Sequence, residues 1–182
     1  MVTRVGDVDP LAGMPPPRQA AVLLLLYPDP ATGAETIVFT RRTETLSRHA
    51  GQISLPGGSI DPTDADAPAA ALREAEEELG IPPAAVTVIR TLAPVHTVVS
   101  NYLITPVVGR AAARPAFRPN PAEVAEVIEV PVAGLRDPTI YRSEQRDTPF
   151  GRLDVHFYQY GPYNIWGATA RILQIFLAEW DE

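Results

Sequence analysis

The chain contains no cysteine, and among its 182 residues there are only two tryptophans and three histidines. Without cysteine there is no disulfide, no thiolate metal site and no cysteine nucleophile, and a reducing cytoplasm suits such a protein. His49, His96 and His156 stand alone, with no pair at metal-ligand spacing and no nucleophile motif beside them. Long apolar runs are also missing. The longest near the start, Ala20 to Leu26, is too short to span a bilayer, and no signal-peptide pattern precedes it. Neither membrane insertion nor export is expected. A formal net charge of −7 argues against broad binding of nucleic-acid phosphates, although a local basic cluster still suits one phosphorylated small molecule.

A hydrophobic share of 46% is enough for a proper core, and 182 residues predict one domain. Met1 to Pro17, rich in Gly and Pro, reads as a loose leader, so the domain runs over 18–182. Ala20 to Tyr27 and Thr36 to Arg41 read as strands of a hairpin, turned by Pro28-Asp29-Pro30 to Gly33. A helix is expected over Pro68 to Leu79, and Val86 to Val95, Tyr102 to Val108 and Glu126 to Val130 are β-rich. Gly167 to Glu179 has the spacing of an amphipathic helix. The sum is an α/β fold with a mixed sheet held between helices, without internal repeats.

One segment breaks local rules. Arg73-Glu74-Ala75-Glu76-Glu77-Glu78-Leu79-Gly80-Ile81 places four carboxylates in five positions shortly after Leu55-Pro56-Gly57-Gly58. At helical spacing Glu74, Glu77 and Glu78 share a face, whereas Glu76 points elsewhere. They stand in the last turns before a stop at Gly80, Pro82 and Pro83, where the helix dipole disfavours each carboxylate by roughly 0.3–1 kcal/mol. Ala71, Leu72, Ala75 and Leu79 form an apolar stripe on the opposite side. A solvated glutamate face is the ordinary explanation of such a run. The stripe and the upstream glycines favour a different one, in which a hard divalent cation such as Mg²⁺ offsets the repulsion.

These residues resemble the Nudix box: Arg73 to Ile81 carries every fixed letter of R-E-U-x-E-E-x-G-U, where U is apolar. Upstream the chain departs from the full pattern, with Ser59 and Ala65 where a Gly and a Glu belong. Gly57-Gly58 lies just before the first, and Asp64 and Asp66 bracket the second. That variant, together with Val38-Phe39-Thr40-Arg41-Arg42-Thr43, Ser47, Gly51 and Leu55-Pro56-Gly57-Gly58, resembles the Nudix hydrolases that cleave coenzyme A. Thr43, Ser47 and Leu55 depart from that signature, and Arg48 stands beside the position of its second Arg. Ile165 to Ala170 also looks like the segment that opens the last helix in that subfamily.

The resemblance implies a Nudix-like α/β/α sandwich and an enzyme dependent on Mg²⁺ or Mn²⁺. The bond cleaved is the pyrophosphate of coenzyme A or a derivative, and the products are 3′,5′-ADP and 4′-phosphopantetheine. Glu74, Glu77 and Glu78 are the expected metal and catalytic set, with the Gly58 carbonyl as a further ligand and Arg73 holding the glutamates through an i, i+4 contact to Glu77. An additional base or ligand is sought in Glu123 or Glu126, within an acidic stretch that also holds Glu129. Arg41, Arg42, Arg48 and His49 are the candidates for gripping substrate phosphates. Tyr102, Tyr158, Tyr163 and Trp166 are candidates for stacking adenine or lining a pantetheine channel. Alternatives within reach are an ADP-ribose or dinucleotide pyrophosphatase and a non-catalytic nucleotide-binding regulator. Whether the protein forms a homodimer stays open.

Overall fold

A computed structural model describes residues 15–44, 51–148 and 151–180. Of the expected leader, all but 15–17 lies outside the described residues, as do Ser47, Arg48 and His49 of the basic segment. The first strand, β1 (Arg18–Pro28), turns at Asp29 into β2 (Glu35–Arg42), the two pairing antiparallel only near the turn, at Leu26↔Ile37 to Pro28↔Glu35. Asp29 builds that turn by accepting the backbone N–H groups of Ala31 and Thr32 on its carboxylate.

Beyond the turn the strands part, and β3 (Ile53–Ser54) and β4 (Gly57–Ser59) fill the gap. The former pairs with Thr40 and Arg41 of β2, the latter with Ala20 to Val22 of β1. On its other side β1 runs parallel to β7 (Tyr102–Arg110), which in turn pairs with β5 (Thr87–Thr91) and β6 (Val95–Thr97). The outer flank of β2 is covered by β8 (Val124–Pro131), so a mixed sheet of eight strands results. The β-rich run from Val86 to Val95 is therefore two strands, interrupted around Leu92-Ala93-Pro94, where proline cannot donate to a ladder.

Strand β1 reads as nearly continuous apolar sequence because both its faces are covered. Its Ala21, Leu23, Leu25 and Tyr27 pack with Ala70, Ala71, Ala75 and Leu79 of α1 (Ala67–Leu79). Leu24 and Leu26, with Ile37 and Phe39 of β2, pack instead with Ile172, Leu173 and Phe176 at the other end of the chain. Between these, α2 (Val132–Leu135) is a single turn, followed by an antiparallel sheet of β9 (Tyr141–Thr148), β10 (Gly151–Tyr160) and β11 (Tyr163–Trp166). The chain then enters α3 (Ala168–Glu179), which supplies Ile172, Leu173 and Phe176. The eight-stranded sheet thus lies between α1 and α3, the expected three-layer arrangement.

The second sheet is not foreshadowed by periodicity, since β9 is exposed along most of its length and carries Arg142, Ser143, Glu144, Gln145, Arg146 and Asp147 in succession. Among the described residues no helix is long and apolar enough to cross a membrane.

Candidate active site

Helix α1 starts where Asp66 accepts the Ala69 N–H at 2.8 Å, with Pro68 in its first turn. It ends at Gly80, whose φ of 66° is the left-handed conformation that glycine adopts without penalty. The last carbonyls are not left bare. Glu78 O accepts the Asn120 N–H and Leu79 O accepts the Arg118 N–H, at 2.8 and 2.7 Å. Two backbone donors therefore offset part of the negative potential at the end where the glutamates stand.

Arg73 organises the cluster. Its Nε and Nη2 donate in a fork to Asp64 at 3.0 Å each, Nη2 also reaches the Ser59 carbonyl at 3.1 Å, and Nη1 reaches Glu74 at 3.0 Å and Glu77 at 3.1 Å. One guanidinium thus ties the β4–α1 loop to two glutamates. Asp64 is held well below the usual carboxylate range, chiefly by the Arg73 hydrogen bonds. Neither Asp64 nor the capping Asp66 was among the expected functional residues, yet they bracket the place where the family pattern has its Glu.

The three glutamates differ in environment. The Glu77 side chain is 55% exposed, Glu74 is 16% exposed and Glu78 only 4%. Burial pushes Glu78 up to about 7, with the charges of Glu74 and Glu123 adding to the rise. The Gly57 N–H at 3.3 Å and the Arg42 guanidinium at 3.9 Å oppose that rise without cancelling it. Glu74 is raised as well, first by burial, then by Glu77 and Glu123 against the pull of Arg73.

Both glycines before the helix are tightly enclosed. A Cβ on Gly57 would come within 2.6 Å of the Val22 Cα in β1, and one on Gly58 would lie 2.5 Å from the Glu74 carboxylate. Glycine at these positions lets β4 lie against β1 while the carboxylate of α1 rests upon it.

Strand alternation separates Arg41 from Arg42. Arg42 turns to Glu78, and its Nε is buried without a hydrogen-bond partner. Arg41 instead donates to Glu126 at 2.8 Å, and Glu126 also accepts the Tyr163 hydroxyl at 2.7 Å. Glu129 is likewise engaged, by Tyr27 and a fork from Arg114. Of the acidic stretch, it is Glu123 whose charge acts on Glu74 and Glu78; its carboxylate accepts from Asn120 at 3.1 Å. The structure therefore gathers Arg73, Glu74, Glu77, Glu78, Gly58, Arg42 and Glu123, and sets Arg41 and Glu126 in a neighbouring cavity.

The remaining candidates are otherwise occupied. His96 bonds Asn101 at 3.1 Å and His156 bonds Tyr141 at 2.9 Å. Tyr158 is a core residue and Tyr102 meets Arg18.

Among the described residues no three Asp, Glu or His side chains already converge in a metal cluster, because Arg73 draws Glu74 and Glu77 toward itself. The donor chemistry nonetheless fits a hard divalent cation. The Glu74 and Glu78 carboxylates are buried against their preferred charge state, and Arg42, the basic group beside Glu78, has an unsatisfied nitrogen.

The chain matches the NUDIX domain family over residues 17–150. It is 40% identical over 168 residues to the uncharacterized Nudix hydrolase NudL of Photorhabdus laumondii, covering 88% of each chain. Its similarity to NudL of Escherichia coli K12 is 43% identity over 163 residues, 86% of this chain and 80% of that one. Among solved structures, RenU, a Nudix hydrolase of M. smegmatis, superposes with a TM-score of 0.56 at 31% identity, over 68% of this chain and 76% of that one. The C. elegans Ap4A hydrolase, at 16% identity and a TM-score of 0.52 over 63% of this chain and 80% of its own, shares the fold. The protein belongs to the Nudix family of hydrolases, which act on phosphoanhydride bonds of small molecules and generally use divalent metal ions such as Mg²⁺ or Mn²⁺.

Proposed function

We propose that this protein is a coenzyme A diphosphatase, hydrolysing the pyrophosphate of coenzyme A or its derivatives to 3′,5′-ADP and 4′-phosphopantetheine or its acyl form. The observation that carries the reading is the placement of the upstream signature. Strand β2 ends in Arg41-Arg42, and Arg42 lies 3.9 Å from Glu78, so residues outside the box share a site with the glutamates inside it.

Glu74, Glu77 and Glu78, with the Gly58 carbonyl, would hold Mg²⁺ or Mn²⁺. When bound, that cation neutralises phosphate oxygens and activates the attacking water. In the hydrolysis water attacks one phosphorus, the bridging P–O bond breaks, and a proton passes from the water to a carboxylate. Within the later acidic stretch Glu123 suits that proton best, because Glu126 and Glu129 are held by arginine and tyrosine partners whereas the Glu123 hydrogen bond comes from a neutral amide, Asn120. Arg42 presents its guanidinium to the phosphate oxygens, and Arg73 keeps Glu74 and Glu77 in register with the loop beneath them.

The test is product analysis of the purified protein with coenzyme A and Mg²⁺. Formation of 4′-phosphopantetheine is expected. Preferential turnover of ADP-ribose or a dinucleotide would replace coenzyme A with that substrate, and absence of any turnover would favour a binding or regulatory module.

A further inference from the structure

A cavity of about 650 Å³ opens between the end of β2, β3 and the β10–β11 turn, and the hydrolytic reading uses none of its walls except Arg41. Its volume falls within the roughly 300–1,000 Å³ usual for small-molecule sites. Its polar and aromatic walls include Arg41, Glu44, Glu126, Tyr163, Asn164 and Trp166. Arg41 and Arg42 are neighbours on opposite faces of one strand, so this cavity stands back to back with the glutamate cluster at the same strand end.

Three features define what the cavity accepts. Trp166 is 38% exposed, one of few large apolar side chains left so among the described residues; its ring stacks on Phe157 at 6.4 Å and 14°, and it lines the cavity. That is an aromatic platform fixed in place. Glu126 holds both Arg41 Nε and the Tyr163 hydroxyl, which fixes the guanidinium beside the platform. The two terminal amino groups of Arg41 have no hydrogen-bond partner among the described residues. Asn164 adds an amide group capable of meeting the edge of a base. Residues 162–166 of this wall lie beyond the 17–150 span that matches the family.

An aromatic platform next to free guanidinium donors recognises a planar heterocycle carrying a phosphate. We infer that this cavity binds the phosphorylated nucleoside end of the substrate, its base on Trp166 and its ribose phosphate on Arg41, while the pyrophosphate crosses the end of β2 to Arg42 and the glutamates. The inference deepens the coenzyme A reading and rests on it for the identity of the nucleoside. It makes Trp166, Tyr163 and Arg41 specificity residues.

The experiment is calorimetric titration of the full chain with 3′,5′-ADP and with 5′-AMP, alongside the coenzyme A product assay. Wild-type protein is expected to bind 3′,5′-ADP more tightly than 5′-AMP. Trp166→Ala should weaken both about tenfold, the loss of one stacked base. Arg41→Met should abolish the preference for the additional phosphate. Because Trp166 also packs on Phe157, Tyr163→Phe, which removes only the hydroxyl that holds Glu126, serves as a milder variant and should reduce the same preference. Equal binding by wild type and Trp166→Ala, an undiminished preference in Arg41→Met, or no binding of either nucleotide would overturn the inference. Binding as described without cleavage of coenzyme A would leave the cavity assigned and remove the proposed function instead. Cleavage of coenzyme A with unaltered binding in the variants would do the reverse.

Discussion

Arg73 makes five hydrogen bonds to four partners, Asp64, Glu74, Glu77 and the Ser59 carbonyl. Lysine has the charge but not the planar fork. Arg73→Lys should therefore weaken Mg²⁺ activation and lower kcat/KM by about 10–100-fold, as loss of a group that orients metal ligands typically does. Activity measured against Mg²⁺ concentration checks this, and wild-type activation by the variant would contradict it.

Asp64 carries a pH signature. Its carboxyl is held below the ordinary value in the folded protein, so its contribution is present above the unfolded pKa and is lost as pH falls through the folded one. Unfolding midpoints of Asp64→Asn should accordingly lose part of their acid-limb dependence below about pH 4, the region of an ordinary Asp carboxyl.

Glu78 has the opposite sign. Raised to about 7 by burial, it stabilises the metal-free protein fully below its unfolded pKa and progressively less as pH rises through neutrality. Glu78→Gln should stabilise the metal-free protein at pH 8 by about 2–3 kcal/mol at most, while lowering turnover by about 10²-fold or more. Thermal unfolding with chelator, set beside turnover with Mg²⁺, reads both effects.

At the scale of elements, the site exists because β4 inserts where β1 and β2 part. Gly57→Ala would drive a methyl into the Val22 backbone, and a loss of roughly 2–4 kcal/mol in unfolding free energy is expected. Gly58→Ala meets the movable Glu74 carboxylate first, so it should impair Mg²⁺ affinity more than stability. Denaturant titration and Mg²⁺ titration of the two variants separate these outcomes.

The helices and central strands were legible in the sequence for physical reasons. Pro68 and Gly80 punctuate α1, and the apolar run from Ala20 to Tyr27 marks β1 as a strand, although its burial on both faces emerges only in the fold. Strands β3 and β4, of two and three residues, are too short for any periodicity to register. The exposed β9 lacks the apolar alternation that marks a half-buried strand.

For the molecule as a whole, the reaction class was written in one contiguous run, whereas the cavity inferred to take the substrate is lined from β2, β8 and β11, far apart in sequence. The pairing of Glu126 with Arg41 and Tyr163 spans 85 and 37 residues, and no local spacing announces it. The same distance explains why Glu123 and Glu126 were equal candidates in sequence but stand in different surroundings in the fold. The packed core on both faces of the sheet is apolar and independent of any cation. Chelation should therefore abolish turnover without unfolding the protein, and added Mg²⁺ should raise Tm by mass action on the folded state. Circular dichroism melts with and without Mg²⁺ check this.

In the proposed reaction the Glu74–Glu77–Glu78 cluster and the Arg41-Arg42 strand end act together on coenzyme A. The most direct measurement is identification of the products formed from coenzyme A by the purified protein with Mg²⁺, compared with ADP-ribose and dinucleotide substrates at matched concentrations. The expected products are 3′,5′-ADP and 4′-phosphopantetheine, with the highest kcat/KM in the panel for coenzyme A or one of its derivatives. Intact coenzyme A after prolonged incubation, with another diphosphate consumed, would contradict the proposed reaction.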